Sequence, residues 1–452
     1  MNRKTRCTAF FVCILAAVLL CGCGSKTQSA ILPPADVKFA AAQVAPETTD
    51  LVITLEPGET ELLSALPGLK SADFSGSTCV EEIAAWAEAH PDVKVRYTVV
   101  MPDGSIFDNS VKSIDLSDKT DAEIREMTEQ LRLLPNISSI ELGQERSGLS
   151  WNSIGTLEEI FPEAKIRYLF DLYGQETELC STQINLSHIP LEDGGAALEK
   201  VMDYMPDLCY VDMDSCGVPD EKMARIRDAH PDVKVVWRVW FGDNYSVRTD
   251  VERILASAPS KGGMLTPENT GSLKYCTDVR LLDVGHNDYL TDISFVAYMP
   301  KLEVAILAMD FWTDASPLAN CTELEYLEMQ TTSCTDLTPL SGLTKLRHLD
   351  IAYNHDLADI SPLFGLTELE RLWIGCTTSV PMEQVYEMQQ HAPNCEINTE
   401  VYEDPTGGRW RYVDYNELAY MYIYHPRYIQ LREQFDDYAP TAYSFSWNDP
   451  LY

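Results

Sequence analysis

Residues 212–223, Asp-Met-Asp-Ser-Cys-Gly-Val-Pro-Asp-Glu-Lys-Met, put carboxylates at positions 1 and 3 and a glycine at position 6, as a loop that wraps calcium in oxygen ligands does. The pattern then breaks. Position 5 is Cys216 and position 12, where a bidentate glutamate belongs, is Met223, so the cage lacks oxygens that it needs. Histidine is the other usual carrier of chemistry, yet His90, His230 and His391 each stand one or two residues before a proline, at the end of a helical stretch. A cation is favoured there by the helix dipole, and a structural role is expected. No GxSxG, HExxH, GxGxxG or P-loop pattern occurs, and acids are too abundant for one pair to stand out as acid and base. Neither an enzyme nor a bound cofactor or metal is expected. The nine cysteines after residue 23 (79, 180, 209, 216, 276, 321, 334, 376 and 395) are odd in number, irregular in spacing and without CxxC. That suggests neither a disulfide framework nor a zinc site, and it fits thiols buried as small apolar groups.

The elements behind these residues repeat. Five segments, VRLLDVGHN from Val279, LEVAILAMD from Leu302, LEYLEMQTT from Leu324, LRHLDIAYN from Leu346 and LERLWIGCT from Leu369, begin 23, 22, 22 and 23 residues apart. Between them recur TDISFV, TDASPL, TDLTPL and ADISPL, from Thr291, Thr313, Thr335 and Ala358. Two elements keeping one period point to stacked coils. LxxLxL reads as a short strand with alternate side chains inward, so that Leu324, Leu327 and Met329, like Leu346, Leu349 and Ile351, face the core. After the strand Asn287 and Asn354 are placed to bond the turning backbone, while Asp310, Thr332 and Thr377 hold that position in the other copies.

Upstream the period persists in degenerate form. Pro67, Pro135 and Pro206 lie 68 and 71 residues apart, and Pro91, Pro162 and Pro231 lie 71 and 69 apart, each leading into a strand-like run. A module of about 70 residues thus holds about three strands, inside the range of such repeats. Helical patterns occupy TCVEEIAAWAEAHPD, DAEIREMTEQLRLLPN, EKMARIRDAHPD and MEQVYEMQQHAPN, and each stops at a proline.

LxxLxLxxN with a following Asp-Ile/Leu-Ser/Thr-Pro-Leu turn resembles the leucine-rich repeat, most closely the short internalin-like type of bacterial surfaces. The resemblance implies an α/β solenoid with a curved parallel sheet on its concave side, helices or turns on the convex side, and non-catalytic binding of a protein or peptide. Residues alternating with the core leucines would line the concave face. They form one column of Leu281, Val304, Tyr326, His348 and Arg371 and a second of Asp283, Ile306, Glu328, Asp350 and Trp373. Exposed aromatic groups in such an array are what a binding surface uses.

The chain opens with three cations (Arg3, Lys4, Arg6), an apolar run from Thr8 to Leu20, and Leu-Cys-Gly-Cys at 20–23. That is the layout of an export signal. The last four residues resemble a bacterial lipobox, which would make Cys23 the lipidated residue and hold the protein on the outer side of a cell membrane. Cys21 departs from the small residues more usual at its position. Formal charge is −36, and removing residues 1–22, with their three cations and no acids, leaves −39. So acidic a chain is repelled by nucleic acid and by anionic lipid heads. The expected order is a signal (1–22), a flexible tether from Cys23 (23–50), degenerate coils (51–275), regular coils (276–400) and an aromatic C-terminal segment (401–452). Between Tyr412 and Tyr452 that last segment has nine tyrosines, two phenylalanines and a tryptophan. A helix broken at Pro426 and then an extended tail are expected there. Its rings suit a cap that seals the last coil, or alternatively a platform for a glycan or envelope polymer. A scaffold of the envelope with no soluble ligand is a further alternative.

Overall fold

The structure is a computed structural model in which residues 35–145, 149–257, 264–376, 379–400, 410–416 and 421–434 are described. The export signal, Cys23 and Thr377 lie outside them. Two compact units divide the chain, one made of residues up to 111 with 126–136, the other of 112–125 and residues from 137 onward. No helix among the described residues is long and apolar enough to cross a membrane.

Order begins earlier than the tether expectation allows. Val37–Lys38 pairs antiparallel with Gln43–Val44, because Val37, Phe39 and Val44 bury their side chains. In this first unit Asp50–Val52, Ser71–Asp73 and Lys94–Arg96 then pair in parallel, with Leu51 and Ala72 inward. The helix Val80–Ala89 seats Ile83 in the core, and a hairpin of Thr98–Val100 with Ile106–Asp108 follows.

The second unit uses the same recipe twice. Ser113–Asp115, Ser139–Gln144 and Lys165–Leu172 are parallel, with Gln175–Glu178 added antiparallel; Gln183–Asn185, Tyr210–Asp212 and Lys234–Val236 are parallel, followed by the hairpin Arg238–Phe241 with Tyr245–Arg248. The four patterned helical stretches are helices: Val80–Ala89, Asp121–Leu131, Asp220–Ala229 and Met382–His391. Hairpins and the helices Trp151–Ile160 and Ala196–Met202 come in addition, since a period read from prolines says nothing about what fills the intervals.

Residues 253–398 are a leucine-rich-repeat solenoid. Seven parallel strands, Arg253–Leu255, Leu281–Asp283, Val304–Ile306, Tyr326–Glu328, His348–Asp350, Arg371–Trp373 and Glu396–Asn398, follow one another in chain order. Leu282, Ala305, Leu327, Leu349 and Leu372 stand opposite one another in register, and all are fully buried. After each of the inner strands one residue (His286, Met309, Thr331, Tyr353, Cys376) takes φ between 56° and 65°, which turns the chain. The amide ladder forms where it was expected. Asn354 Nδ2 donates to Met329 O (3.0 Å) and Ile351 O (3.1 Å), and its Oδ1 accepts from Thr332 N (2.8 Å). Asp310 and Asn287 continue the series, with Oδ1 of Asp310 accepting from Asn287 N and Oδ1 of Asn287 from Leu265 N. On the return leg Asp292, Asp314, Asp336 and Asp359 each accept the N–H two residues on, and 3-10 turns such as Ser316–Asn320 follow. An aspartate that bonds its own turn backbone fixes a tight bend, and for that reason these coils need no convex helix.

Candidate recognition face

Strand register brings together all ten residues expected on the concave face. Leu281, Val304, Tyr326, His348 and Arg371 form one column, and Asp283, Ile306, Glu328, Asp350 and Trp373 the other. Their exposure is where the expectation fails. Every one is at most 3% exposed, and Trp410, Arg411, Tyr424 and Tyr428 lie across this face.

Trp410 is the centre of the cover. Its ring meets Tyr326 at 5.5 Å, Trp373 at 5.4 Å and His348 at 5.8 Å, and its indole N–H donates to Glu328 Oε1 at 2.8 Å. Arg371, stacked 4.2 Å from the Trp373 ring, donates to the Trp410 carbonyl and ion-pairs with Glu396. Next in the chain, Arg411 forks onto Glu328, with Nε 2.7 Å from Oε1 and Nη2 on Oε2. Tyr326 donates its hydroxyl to the same carboxylate. Further along, Tyr428 packs on Tyr326, His425 sits 5.1 Å from His348, and Arg427 pairs with Glu325 at the rim.

Electrostatics follow from burial. Glu328 has no exposure, which pushes its pKa up, but the Arg411 charge and the bonds from Arg411, Tyr326 and Trp410 outweigh burial and hold it below the ordinary carboxylate value. It is a carboxylate that requires a cation. Asp350 accepts a backbone bond from Ala352 N, and burial raises its carboxyl well above the usual carboxylate range. His348 is held down to about 3 by burial and by the nearby His425, Arg371 and Arg347, so its imidazole is neutral.

The C-terminal reading changes accordingly. A hairpin of Tyr412–Asn416 with Met421–Tyr424 precedes Pro426, and Pro426 opens a helix, Pro426–Gln434, in place of breaking one. Proline suits a first helical turn, whose N–H groups have no partner anyway. Trp410 and Tyr428 seal the sheet face and not the end coil; at 2% and 1% exposure they offer no ring to a sugar. Other parts of the cap and platform readings fall on 401–409, 417–420 and 435–452, outside the described residues.

The remaining chemical candidates have structural employment. Asp212 and Asp214 of the calcium-like loop are paired by Arg248 (3.0 Å) and Arg238 (3.1 Å). Arg248 also reaches the Tyr210 hydroxyl at 2.6 Å, so strand Tyr210–Asp212 carries its own tyrosine, carboxylate and arginine cluster. His90 ends its helix stacked on Trp86 at 4.1 Å, and His391 ends its own on Phe364 at 5.1 Å. All nine cysteines after residue 23 are free, six of them buried, and burial pushes Cys276, Cys321 and Cys395 up to about 12. Sequence reasoning missed Trp410, Arg411, His425 and Tyr428. The available cue was an aromatic residue followed by a cation, Trp410-Arg411, in a chain of charge −36 whose sheet face carries the acids Glu328 and Asp350 side by side.

No family model matches the chain, and no curated protein does. Among solved structures it is similar to internalin C2 of Listeria monocytogenes, at 18% identity over 46% of this chain and 69% of that one, with a TM-score of 0.26. An internalin F of the same organism aligns at 15% identity over 80% and 85%, TM-score 0.27. A leucine-rich-repeat protein of Leptospira interrogans aligns at 14% over 82% and 96%, TM-score 0.30.

Proposed function

We propose that the chain is an exported lipoprotein, acylated at Cys23 and held outside a cell membrane, that recognises a protein or peptide without catalysis. Its working surface is the sheet face bearing Tyr326, Glu328, His348, Arg371 and Trp373. One observation carries the reading: this face already holds a segment of the chain, at Trp410, Arg411 and Tyr428, through an aromatic anchor and a forked arginine. Buried aromatic and arginine anchors surrounded by near-neutral contacts are how protein interfaces concentrate their energy. The acidic balance of the chain favours a partner with basic groups and opposes nucleic acid.

The test is photo-crosslinking on native cells. A photoreactive side chain at Glu370, beside His348 on the rim, is expected to capture a defined protein. The same group at Tyr386, 64% exposed on the helix Met382–His391, is the control. Equal labelling from both positions would refute the face. For the anchor, Cys23→Ser is expected to move the protein from the membrane to the soluble fraction. Retention at the membrane would remove the lipid from the reading.

A further inference from the structure

We infer that the partner taken by this face is a protein segment presenting an aromatic residue followed by arginine, and that Trp410-Arg411 is the chain's own stand-in for it. The inference rests on the reading of this face as a peptide site and names what the site selects.

Three observations converge on it. First, the seat is built into the rigid ladder: Glu328, Tyr326, Trp373 and Arg371 belong to strands whose backbones pair from coil to coil. The tail shares none of those pairings, since Tyr412–Asn416 and Met421–Tyr424 form a two-stranded sheet of their own. Its described bonds to the face run through side chains and one carbonyl, so it can leave without unzipping a coil. Second, the seat is specific. Glu328 is buried and ionised, and a buried carboxylate without a cation is strongly disfavoured, so any occupant must supply a charge there. The carboxylate accepts from Nε and Nη2 of one guanidinium, a fork that lysine cannot reproduce. The slot beside it, walled by Tyr326, Trp373 and His348, takes a flat ring with an N–H that reaches Glu328. Third, the protein fills a related cluster elsewhere with a local arginine. Tyr210 and Asp212 receive Arg248 from a hairpin 36 to 38 residues away, whereas Glu328, with the Tyr326 hydroxyl on it, receives Arg411 from 83 residues away. A distant, separately folded donor is the one that an outside segment can replace.

A closed tail taxes every ligand. Apparent affinity falls by the fraction of open face, so a tail closed about 100 to 1 weakens an external segment about 100-fold.

The experiment uses the full chain and a labelled synthetic peptide of residues 407–416. In the double variant Trp410→Ala/Arg411→Ala the peptide is expected to bind at least tenfold more tightly than to the unsubstituted chain. Adding Glu328→Gln, or replacing arginine by lysine at the peptide's 411 position, is expected to lose at least tenfold. Should the double variant fail to unfold cooperatively, the single variant Arg411→Lys, which keeps a charge near Glu328 but cannot make the fork, takes its place with the same expectations. Peptide binding that ignores Glu328, or no binding to a folded variant, would overturn the aromatic-arginine code. A partner still crosslinked at Glu370 in that case would leave peptide recognition standing, while peptide binding with no crosslinked partner would leave the code and remove the partner.

Discussion

Strands Tyr210–Asp212 and Tyr326–Glu328 are the same device put to different uses. Each has three residues, a buried aliphatic at the centre, and a tyrosine and an acid directed away from the core. On the first, Tyr210 and Asp212 remain partly open and are clasped by Arg248 of the adjoining hairpin. On the second, both residues are sealed under Trp410 and Arg411. The coil is common to both, so the difference lies in what covers it. The covered face carries aromatics and buried charge that no single coil requires, and under the function proposed above that surplus serves recognition.

Arginine removal should break the comparison most sharply. Arg411→Ala leaves Glu328 buried without its cation and is expected to cost about 3 kcal/mol, the low end for a broken buried pair because Arg411 is itself 26% exposed. Arg248→Ala, at a partly exposed pair, is expected to cost about 1 kcal/mol. Urea unfolding of the two variants measures the gap, and equal losses would mean that the tail does not seat on Glu328.

Next in size is the amide ladder, which the regular coils have and the modules replace with surface turns. Asn354→Ala removes two donated and two accepted bonds at a buried site and should cost about 2 kcal/mol. Asn185→Ala, on an exposed module strand where the amide oxygen accepts from the N–H and hydroxyl of Ser187, should cost less than about 1 kcal/mol. Thermal melts of the pair decide it.

Asp310 sharpens the same contrast with the opposite sign. It holds an asparagine position while fully buried, and burial raises its carboxyl well above the ordinary carboxylate range. Its contribution is therefore fully present below the ordinary carboxylate pKa and is lost as pH rises through the raised folded value. Asp310→Asn should stabilise the protein by about 1 kcal/mol at neutral pH and flatten stability against pH. Melting temperatures across pH 4 to 8 test this, and a variant with an unchanged slope would assign the pH dependence elsewhere. The smallest effect belongs to the open strands: Val52→Thr, at 83% exposure, should shift stability by less than about 0.5 kcal/mol in chemical denaturation.

The division between what sequence reveals and what it hides follows the range of the interactions. Leu327, Leu349 and Leu372 announce the coil because a period of 22 or 23 residues repeats the same neighbour contact. Columns on the sheet face follow directly, since alternation along a strand is geometric. The helices ending at His90 and His230 are legible from local apolar spacing and a following proline. Occupation of the face by Trp410 and Arg411 is not, because a contact across 83 residues occurs once and leaves no period. Hairpins such as Arg238–Phe241 with Tyr245–Arg248 are hidden for a related reason: the proline spacing gives the length of these intervals and not what fills them.

The sheet face is covered by the chain's own Trp410, Arg411 and Tyr428. Hydroxyl-radical footprinting of the full chain tests it with controls in the same molecule. Trp312 lies in the core at 1% exposure and Trp240 on a hairpin at 66%. Trp373 is predicted to oxidise as slowly as Trp312; oxidation of Trp373 at the rate of Trp240 would contradict the account.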